Sequence, residues 1–171
     1  MTDKKTRLLL DVDGCLNFFG GRTALDKDNF ELPWPTREEA VVRGYTIVWS
    51  PDMLAALDAL DLEIVWLTTW RESAVNDLAP VLGWGADFRV LHPLPEDEWM
   101  YQTVASIKWK LPALLADQEA DPSPFIWVDD EVGMKEAVEA TRIGGRAIAP
   151  NPYLGITESN IATMVDYIKN K

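Results

Sequence analysis

Acidic and hydroxyl side chains follow three separate apolar runs of the chain. These side chains are Asp11, Asp13, Thr68, Thr69, Asp129 and Asp130. Carboxylates at the end of a buried strand are costly unless they reach water or hold a cation. If the ends of these runs meet in space, four carboxylates repel one another unless a cation lies between them. The pattern therefore predicts a Mg²⁺ site.

One carboxylate of such a site is suited to covalent catalysis on a phosphate. An aspartate fixed beside Mg²⁺ can attack phosphorus and form an aspartyl phosphate, and the metal offsets the repulsion between the two anions. A second aspartate two residues further on could protonate the leaving oxygen and later deprotonate the attacking water. A hydroxyl and a lysine would bind the phosphoryl oxygens. Thr68 supplies the hydroxyl, and Lys108 and Lys110 in SIKWKLP are the candidates for the lysine.

Five short apolar runs are predicted to be the strands that position these residues. They are rich in Val, Ile, Leu, Phe and Trp and mostly lack alternation, which is typical of parallel strands buried on both faces. The runs are 7–12, 63–69, 87–91, 124–130 and 145–150. Segments with helical spacing separate them, so the sequence predicts a doubly wound α/β sheet with right-handed crossovers. Ligands bind at the carboxyl ends of the strands in such sheets.

Local signals mark the helices and one insertion. Ser50 is the predicted N-cap of a helix whose first position is Pro51, and Gly83 and Gly144 are expected to follow helix ends. Two β-like runs around Arg43-Gly44 predict a hairpin flap within the insertion 17–49. We expect a single domain over residues 1–171, with the insertion as a small cap.

Composition excludes several classes of function. With one cysteine and one histidine, the chain has no intrachain disulfide and no multi-cysteine zinc site, so oxygen ligands for Mg²⁺ or Ca²⁺ are favoured. The net charge of -12 makes nucleic acid a disfavoured partner. No apolar stretch approaches the ~20 residues of a transmembrane helix. The N-terminus lacks the apolar core of a signal peptide. We expect a cytoplasmic protein with no membrane partner.

Four ordered segments resemble the motifs of the haloacid dehalogenase (HAD) superfamily. They are LLLDVDG, VWLTTW, a lysine opening a helix, and FIWVDDE. The resemblance implies a five-stranded Rossmann-like core and Mg²⁺-dependent phosphohydrolase activity. By position it implies that Asp11 is the nucleophile, Asp13 the general acid/base and Thr68 a phosphate-binding residue. It also implies a metal site made of Asp11, the Asp13 carbonyl, Asp129 and Asp130.

A narrower pattern bears on the choice of lysine. DGCLN, LTTWRESAVNDLAPVLG, WKLPALL and PNPYLGIT resemble a small-capped HAD group of actinobacteria and their phages, which is related to the HAD domain of multidomain RNA-repair proteins. That pattern favours Lys110 over Lys108. Pro112 is then expected in the first turn of a helix, which would place Lys110 just before the helix N-terminus.

Side chains next to the motifs are candidate substrate contacts. They are Asn17, Thr69, Trp70 and Arg71. Trp70 either contacts the substrate or packs against its own loop. Arg71 either binds the substrate or is solvated in the first turn of a helix. Asn17 either contacts the substrate or stabilises its loop. Cys15 stands where the superfamily usually has a small β-branched residue, and we expect a packed thiol there.

The sequence thus predicts a Mg²⁺-dependent phosphatase that acts on a small phosphorylated substrate, such as a nucleotide, through a phospho-intermediate on Asp11. One alternative is a phosphatase of nucleotides or of RNA or DNA ends, which the RNA-repair resemblance favours and the acidic charge disfavours. Another is a catalytically idle HAD-like binding module, which is disfavoured because the motif aspartates and a lysine all remain. Phosphotransfer and the cleavage of phosphonates or halides fit the same motifs.

Overall fold

The computed structural model describes residues 4–22, 31–101 and 106–171. Its strands, in chain order, are β1 (Arg7–Leu10), β2 (Glu38–Val42), β3 (Tyr45–Trp49), β4 (Glu63–Trp66), β5 (Arg89–Val90), β6 (Phe125–Val128) and β7 (Arg146–Ile148). Five of these strands form one parallel sheet in the order β5–β4–β1–β6–β7. They are the five strands predicted from the apolar runs, each shorter than its run, and the predicted α/β fold class is confirmed.

Helices cover both faces of this sheet. They are α1 (Pro51–Asp58), α2 (Ala79–Leu82), α3 (Glu98–Tyr101), α4 (Ser106–Ala120), α5 (Met134–Arg142) and α6 (Glu158–Asn170). A π-helical turn, Ala74–Leu78, leads directly into α2. Within the described ranges, none of the helices combines the length and the apolar character that crossing a membrane requires.

The central strand β1 divides the core into two layers. Leu8 and Leu10 pack into one buried cluster, whereas Leu9 packs into a second one with Val65 and Trp127. Successive side chains of a strand point to opposite faces of the sheet, so an unbroken leucine run buries both faces at once. This burial fixes β1 at the centre of the sheet and holds its carboxyl end in place.

The predicted hairpin is formed by β2 and β3, which pair antiparallel. Its turn residues Arg43 and Gly44 have φ angles of 53° and 84°, as expected for a two-residue turn whose twist matches the strands. At the tip, the Arg43 guanidinium lies 3.1 Å from the Asp77 carboxylate, and Tyr45 packs on Trp70. The hairpin therefore rests on the segment that follows β4.

The local helix signals are also confirmed. Ser50 caps α1, since its hydroxyl accepts a hydrogen bond from the Met53 amide at 3.3 Å, and Pro51 is the first helical residue. Gly83 ends α2 in the left-handed region, with φ of 62°. These boundaries depend on neighbouring residues only, which is why sequence alone predicts them.

The predicted position of Pro112 is wrong. Pro112 lies inside α4 rather than in its first turn, so Lys110 is a helical residue and does not precede the helix. A proline inside a helix removes one backbone hydrogen bond and costs about 3 kcal/mol. Trp109 and Leu114 of α4 are buried in the second core cluster. The free energy gained by burying this apolar face exceeds the cost of placing Pro112 inside the helix.

Candidate active site

Three adjacent strands bring the predicted chemistry together. Asp11 follows β1, Thr68 follows β4, and Asp129 and Asp130 follow β6. Because β4, β1 and β6 are parallel neighbours, these residues share the carboxyl edge of the sheet. Thr68 and Asp129 are fully buried and Asp11 is 5% exposed. Such burial of polar groups requires that they pair with one another or with a ligand.

Lys110 reaches this edge from α4. Its Nζ lies 2.9 Å from Asp11 Oδ2 and 2.6 Å from Asp129 Oδ2, and the residue is 1% exposed. Burial by itself lowers the pKa of this amine, but the two carboxylates outweigh it and raise the pKa above its ordinary value. Lys110 is therefore a permanent cation in the site. Lys108, the other candidate, is exposed.

The carboxylates form a compact cluster. Asp11, Asp129 and Asp130 each present one oxygen within 4.8 Å of the others. Burial, and then the charge of Asp11, raises the pKa of Asp129 to about 7 and that of Asp130 to about 6. Asp11 Oδ1 is buried and accepts no hydrogen bond from the residues that the structure describes. Lys110 offsets one of the three charges, so this all-oxygen set fits a divalent cation such as Mg²⁺.

These raised values predict how the stability of the metal-free protein depends on pH. A carboxyl group whose pKa is higher in the folded state binds its proton more tightly there than in the unfolded chain, where the pKa is about 4. Stability in EDTA should therefore fall as the pH rises from about 4 to about 7. We expect a lower thermal midpoint at pH 7.5 than at pH 5.5. This difference between the two midpoints should be smaller in Asp130→Asn. Addition of Mg²⁺ at pH 7.5 should raise the wild-type midpoint again. A wild-type midpoint that does not fall between pH 5.5 and pH 7.5, or a fall that is just as large in Asp130→Asn, would contradict this.

Asp13 lies beside the cluster but outside it. Its Oδ1 accepts a hydrogen bond from Asn17 Nδ2 at 2.6 Å, and its Oδ2 accepts one from Trp70 Nε1 at 2.9 Å. In the described part of the chain, its carboxylate does not belong to the group of three that can share a metal. The two aspartates of the first motif therefore have different surroundings. Metal binding through the Asp13 carbonyl stays a prediction.

Gly14 allows the backbone to pass close to Asp130. Its φ is 72°, and a Cβ placed on it would lie 2.5 Å and 2.7 Å from the two carboxylate oxygens of Asp130. Such distances are well inside van der Waals contact, so any side chain here must displace Asp130. The glycine is required both by its left-handed conformation and by this approach.

Gly14→Ala is therefore expected to weaken Mg²⁺ binding and to lower stability by about 1–2 kcal/mol. The matched control is Gly44→Ala, because Gly44 has a φ of 84° but a methyl group there would meet no atom within 4 Å. Both variants carry backbone strain, yet the change in metal affinity should be confined to Gly14→Ala. Titration with Mg²⁺, followed by the shift in thermal midpoint, measures both effects. Equal Mg²⁺ affinity in the two variants would contradict the role given to Gly14.

The four candidate substrate contacts have different surroundings. Asn17 is buried and its amide is used internally. Trp70 is half-buried between Asp13 and the hairpin, and Thr69 is half-buried next to Thr68. Arg71 has a left-handed φ of 50°, lies before the π-helical turn, and forms a 2.6 Å ion pair with Glu98. The expected first helical turn at this position is therefore wrong.

Sequence reasoning missed Arg22. Its Nη2 donates to Asn17 Oδ1 at 2.5 Å, and its Nε donates to the Phe18 carbonyl at 3.0 Å. No local pattern marks this arginine, which stands in an irregular segment.

The expectation for Cys15 fits the structure, since the residue is fully buried and burial, followed by the charge of Asp11, raises the pKa of the thiol well above its usual value.

Comparison with known proteins agrees with the fold and the ordered motifs. The family model described as "HAD domain in Swiss Army Knife RNA repair proteins" matches residues 7–161, which is most of the chain. No curated protein and no solved structure matches the chain significantly. The match confirms the predicted superfamily and the predicted relation to RNA-repair HAD domains. The chain belongs to the family of HAD domains found in Swiss Army Knife RNA repair proteins.

Proposed function

We propose that this chain is a Mg²⁺-dependent phosphohydrolase that forms an aspartyl phosphate on Asp11. The observation that carries this proposal is the state of the Asp11 carboxylate. Its Oδ2 is held by Lys110 at 2.9 Å, while its Oδ1 has no hydrogen-bond partner among the described residues. One oxygen is thus held by a fixed cation, and the other, although buried, has no partner that must be displaced before it reacts with phosphorus or binds a cation. Membership of this family of HAD domains supports the same assignment.

The first half-reaction transfers the phosphoryl group to the protein. Asp11 Oδ1 attacks phosphorus, the bond from phosphorus to the leaving oxygen breaks, and Asp13 gives its proton to that oxygen. In the second half-reaction a water attacks the phosphorus of the aspartyl phosphate and Asp13 accepts its proton. The bond between phosphorus and the Asp11 oxygen breaks, inorganic phosphate leaves, and the Asp11 carboxylate is restored.

The remaining site residues would bind either the phosphoryl oxygens or the metal. Thr68 Oγ1 accepts a hydrogen bond from the Trp70 amide at 3.3 Å, so its hydroxyl proton is available to donate to a phosphoryl oxygen. Lys110 provides a fixed positive charge at the nucleophile. Asp11, Asp129 and Asp130 would hold Mg²⁺, with the Asp13 carbonyl as a further ligand. When bound, the metal neutralises charge on the phosphoryl group.

A panel of phosphomonoesters tests this proposal directly. Aryl phosphates, sugar phosphates and nucleoside monophosphates would be incubated with the protein in Mg²⁺ and in EDTA, and the release of inorganic phosphate measured. We expect turnover that requires Mg²⁺. Mg²⁺ binding, detected as a rise in thermal midpoint, without turnover of any substrate would instead favour a catalytically idle binding module.

The family description favours a narrower substrate, the phosphorylated end of a nucleic acid. The net charge of -12 disfavours extended contact with a polyanion, because such contacts depend on lysine and arginine at the phosphates. We therefore expect recognition of the terminal phosphate and few further nucleotides. Comparison of kcat/KM for 3′- and 5′-phosphorylated oligonucleotides with that for mononucleotides tests this. A higher value for mononucleotides would assign the protein to small-molecule substrates.

A further inference from the structure

The hydrogen bonds around Asp13 give Trp70 a specific role. We propose that Trp70 is a positioning residue that orients the Asp13 carboxylate for proton transfer, rather than a residue that contacts the substrate. This inference rests on the proposed phosphohydrolase function, in which Asp13 is the general acid/base.

Asp13 is held through both of its carboxylate oxygens. Trp70 Nε1 donates to Oδ2 at 2.9 Å, and Asn17 Nδ2 donates to Oδ1 at 2.6 Å. The terminal torsion of an aspartate is otherwise broad, and two donors on different oxygens restrict it. Each oxygen keeps a second lone pair that can carry the transferred proton. The arrangement is therefore compatible with both protonation states of the acid/base.

The orientation of Asn17 is itself determined by its neighbours. Its Oδ1 accepts hydrogen bonds from the Val48 amide at 3.0 Å and from Arg22 Nη2 at 2.5 Å. Two donors on the oxygen side leave the amide nitrogen to face Asp13. Asn17 is 3% exposed, so its side chain stabilises the loop and does not contact the substrate.

Trp70 is fixed from two sides. Its ring meets Tyr45 of β3 edge to face, with centroids 6.0 Å apart, and its backbone amide donates to Thr68 Oγ1. An aromatic pair of this geometry is worth about 0.5–1.5 kcal/mol. The two residues that donate hydrogen bonds to Asp13 therefore both contact the β2–β3 hairpin, Trp70 through Tyr45 and Asn17 through Val48. The hairpin thus supports the Asp13 carboxylate through these two side chains.

Trp70→Phe tests the proposal, because phenylalanine keeps an aromatic ring beside Tyr45 but lacks the N–H donor. Proton donation matters for a poor leaving group and much less for a good one. We therefore expect kcat/KM for an alkyl phosphate such as glycerol phosphate to fall by roughly tenfold or more. With p-nitrophenyl phosphate it should fall by less than about threefold, since nitrophenolate leaves without protonation. An equal loss with both substrates would overturn the proposal.

Two further measurements separate positioning from other effects. In an Asp13→Asn background, Trp70→Phe should produce no additional change in the alkyl-to-aryl ratio, because the group through which it acts is gone. Trp99→Phe makes the same substitution at a residue that is 63% exposed, and it should leave the ratio unchanged. A further fall of the ratio in the double variant would overturn the proposal.

Tyr45→Leu provides a second route should Trp70→Phe fail to fold. Tyr45 is 67% exposed, so its replacement leaves the core intact while removing the ring that holds the indole. The ratio should shift in the same direction, and an unchanged ratio would overturn the proposal. Absence of wild-type turnover with these two substrates and with every other phosphomonoester and oligonucleotide named above would overturn the proposed function as well. Wild-type turnover with an equal loss in Trp70→Phe would overturn this inference alone.

Discussion

Asp11→Asn is expected to lower kcat/KM for phosphomonoesters by at least about 10³-fold while the protein remains folded. An amide cannot attack phosphorus, but its oxygen can still accept the hydrogen bond that Lys110 Nζ now gives to Asp11 Oδ2 at 2.9 Å. The substitution also removes one charge from a crowded group of three carboxylates. Phosphate release with saturating Mg²⁺ measures the loss, and acid-quenched trapping with labelled substrate measures the phospho-protein.

The control for this prediction is Asp130→Asn, which leaves the nucleophile in place and removes one ligand of the proposed metal. High Mg²⁺ should restore part of the activity of Asp130→Asn and none of that of Asp11→Asn. The trapped label should be absent from Asp11→Asn only. Labelled Asp11→Asn protein, or turnover close to wild type, would show that Asp11 is not the nucleophile.

Lys110→Met is expected to lower the free energy of unfolding by about 3–5 kcal/mol. Methionine approximates the length of the lysine stem, so the substitution removes the charge with little change in packing. Asp11 and Asp129, both buried, are then left without the cation that lies within 2.9 Å of each. Urea denaturation in EDTA measures the change. Activity should be lost together with stability.

Lys108→Met provides a matched control for this variant. Lys108 is exposed on the same helix, and surface substitutions of this kind change stability by no more than about 0.5 kcal/mol. The loss in Lys110→Met should also be smaller at pH 5.5 than at pH 7.5, because the Asp129 carboxyl, whose pKa is already about 7, binds its proton more strongly without the lysine. Equal stability of the two lysine variants would rule out the charge role of Lys110.

The placement of the motif residues could be predicted because the apolar runs are local and continuous. An uninterrupted leucine run such as that of β1 must be buried on both faces, and this requires a central parallel strand. Once the strands are parallel, Asp11, Thr68 and Asp129 must share one edge of the sheet. The hairpin followed in the same way from short runs around Arg43-Gly44, a pair that adopts the positive φ angles of a tight turn.

The residues alone left the choice between the two lysines open, and the narrower family resemblance favoured Lys110. Lys108 and Lys110 are two residues apart and therefore point in directions roughly 200° apart around a helix. Local signals also misplaced the start of that helix, because the cost of Pro112 is local while the burial of Trp109 is not. The docking of α4 on the sheet is the physical reason that Lys110 enters the site and Lys108 does not.

The sequence by itself determined the strands, the edge of the sheet that carries the carboxylates, and the order of the motifs. The tertiary structure decided which distant side chains those carboxylates meet. Trp70 is 57 residues from Asp13, and neither residue type predicts the other. Apolar patterning acts over a few neighbouring residues, whereas a side-chain hydrogen bond depends on which loops the folded chain brings together. The different surroundings of Asp11 and Asp13 arise in large part from such long-range contacts.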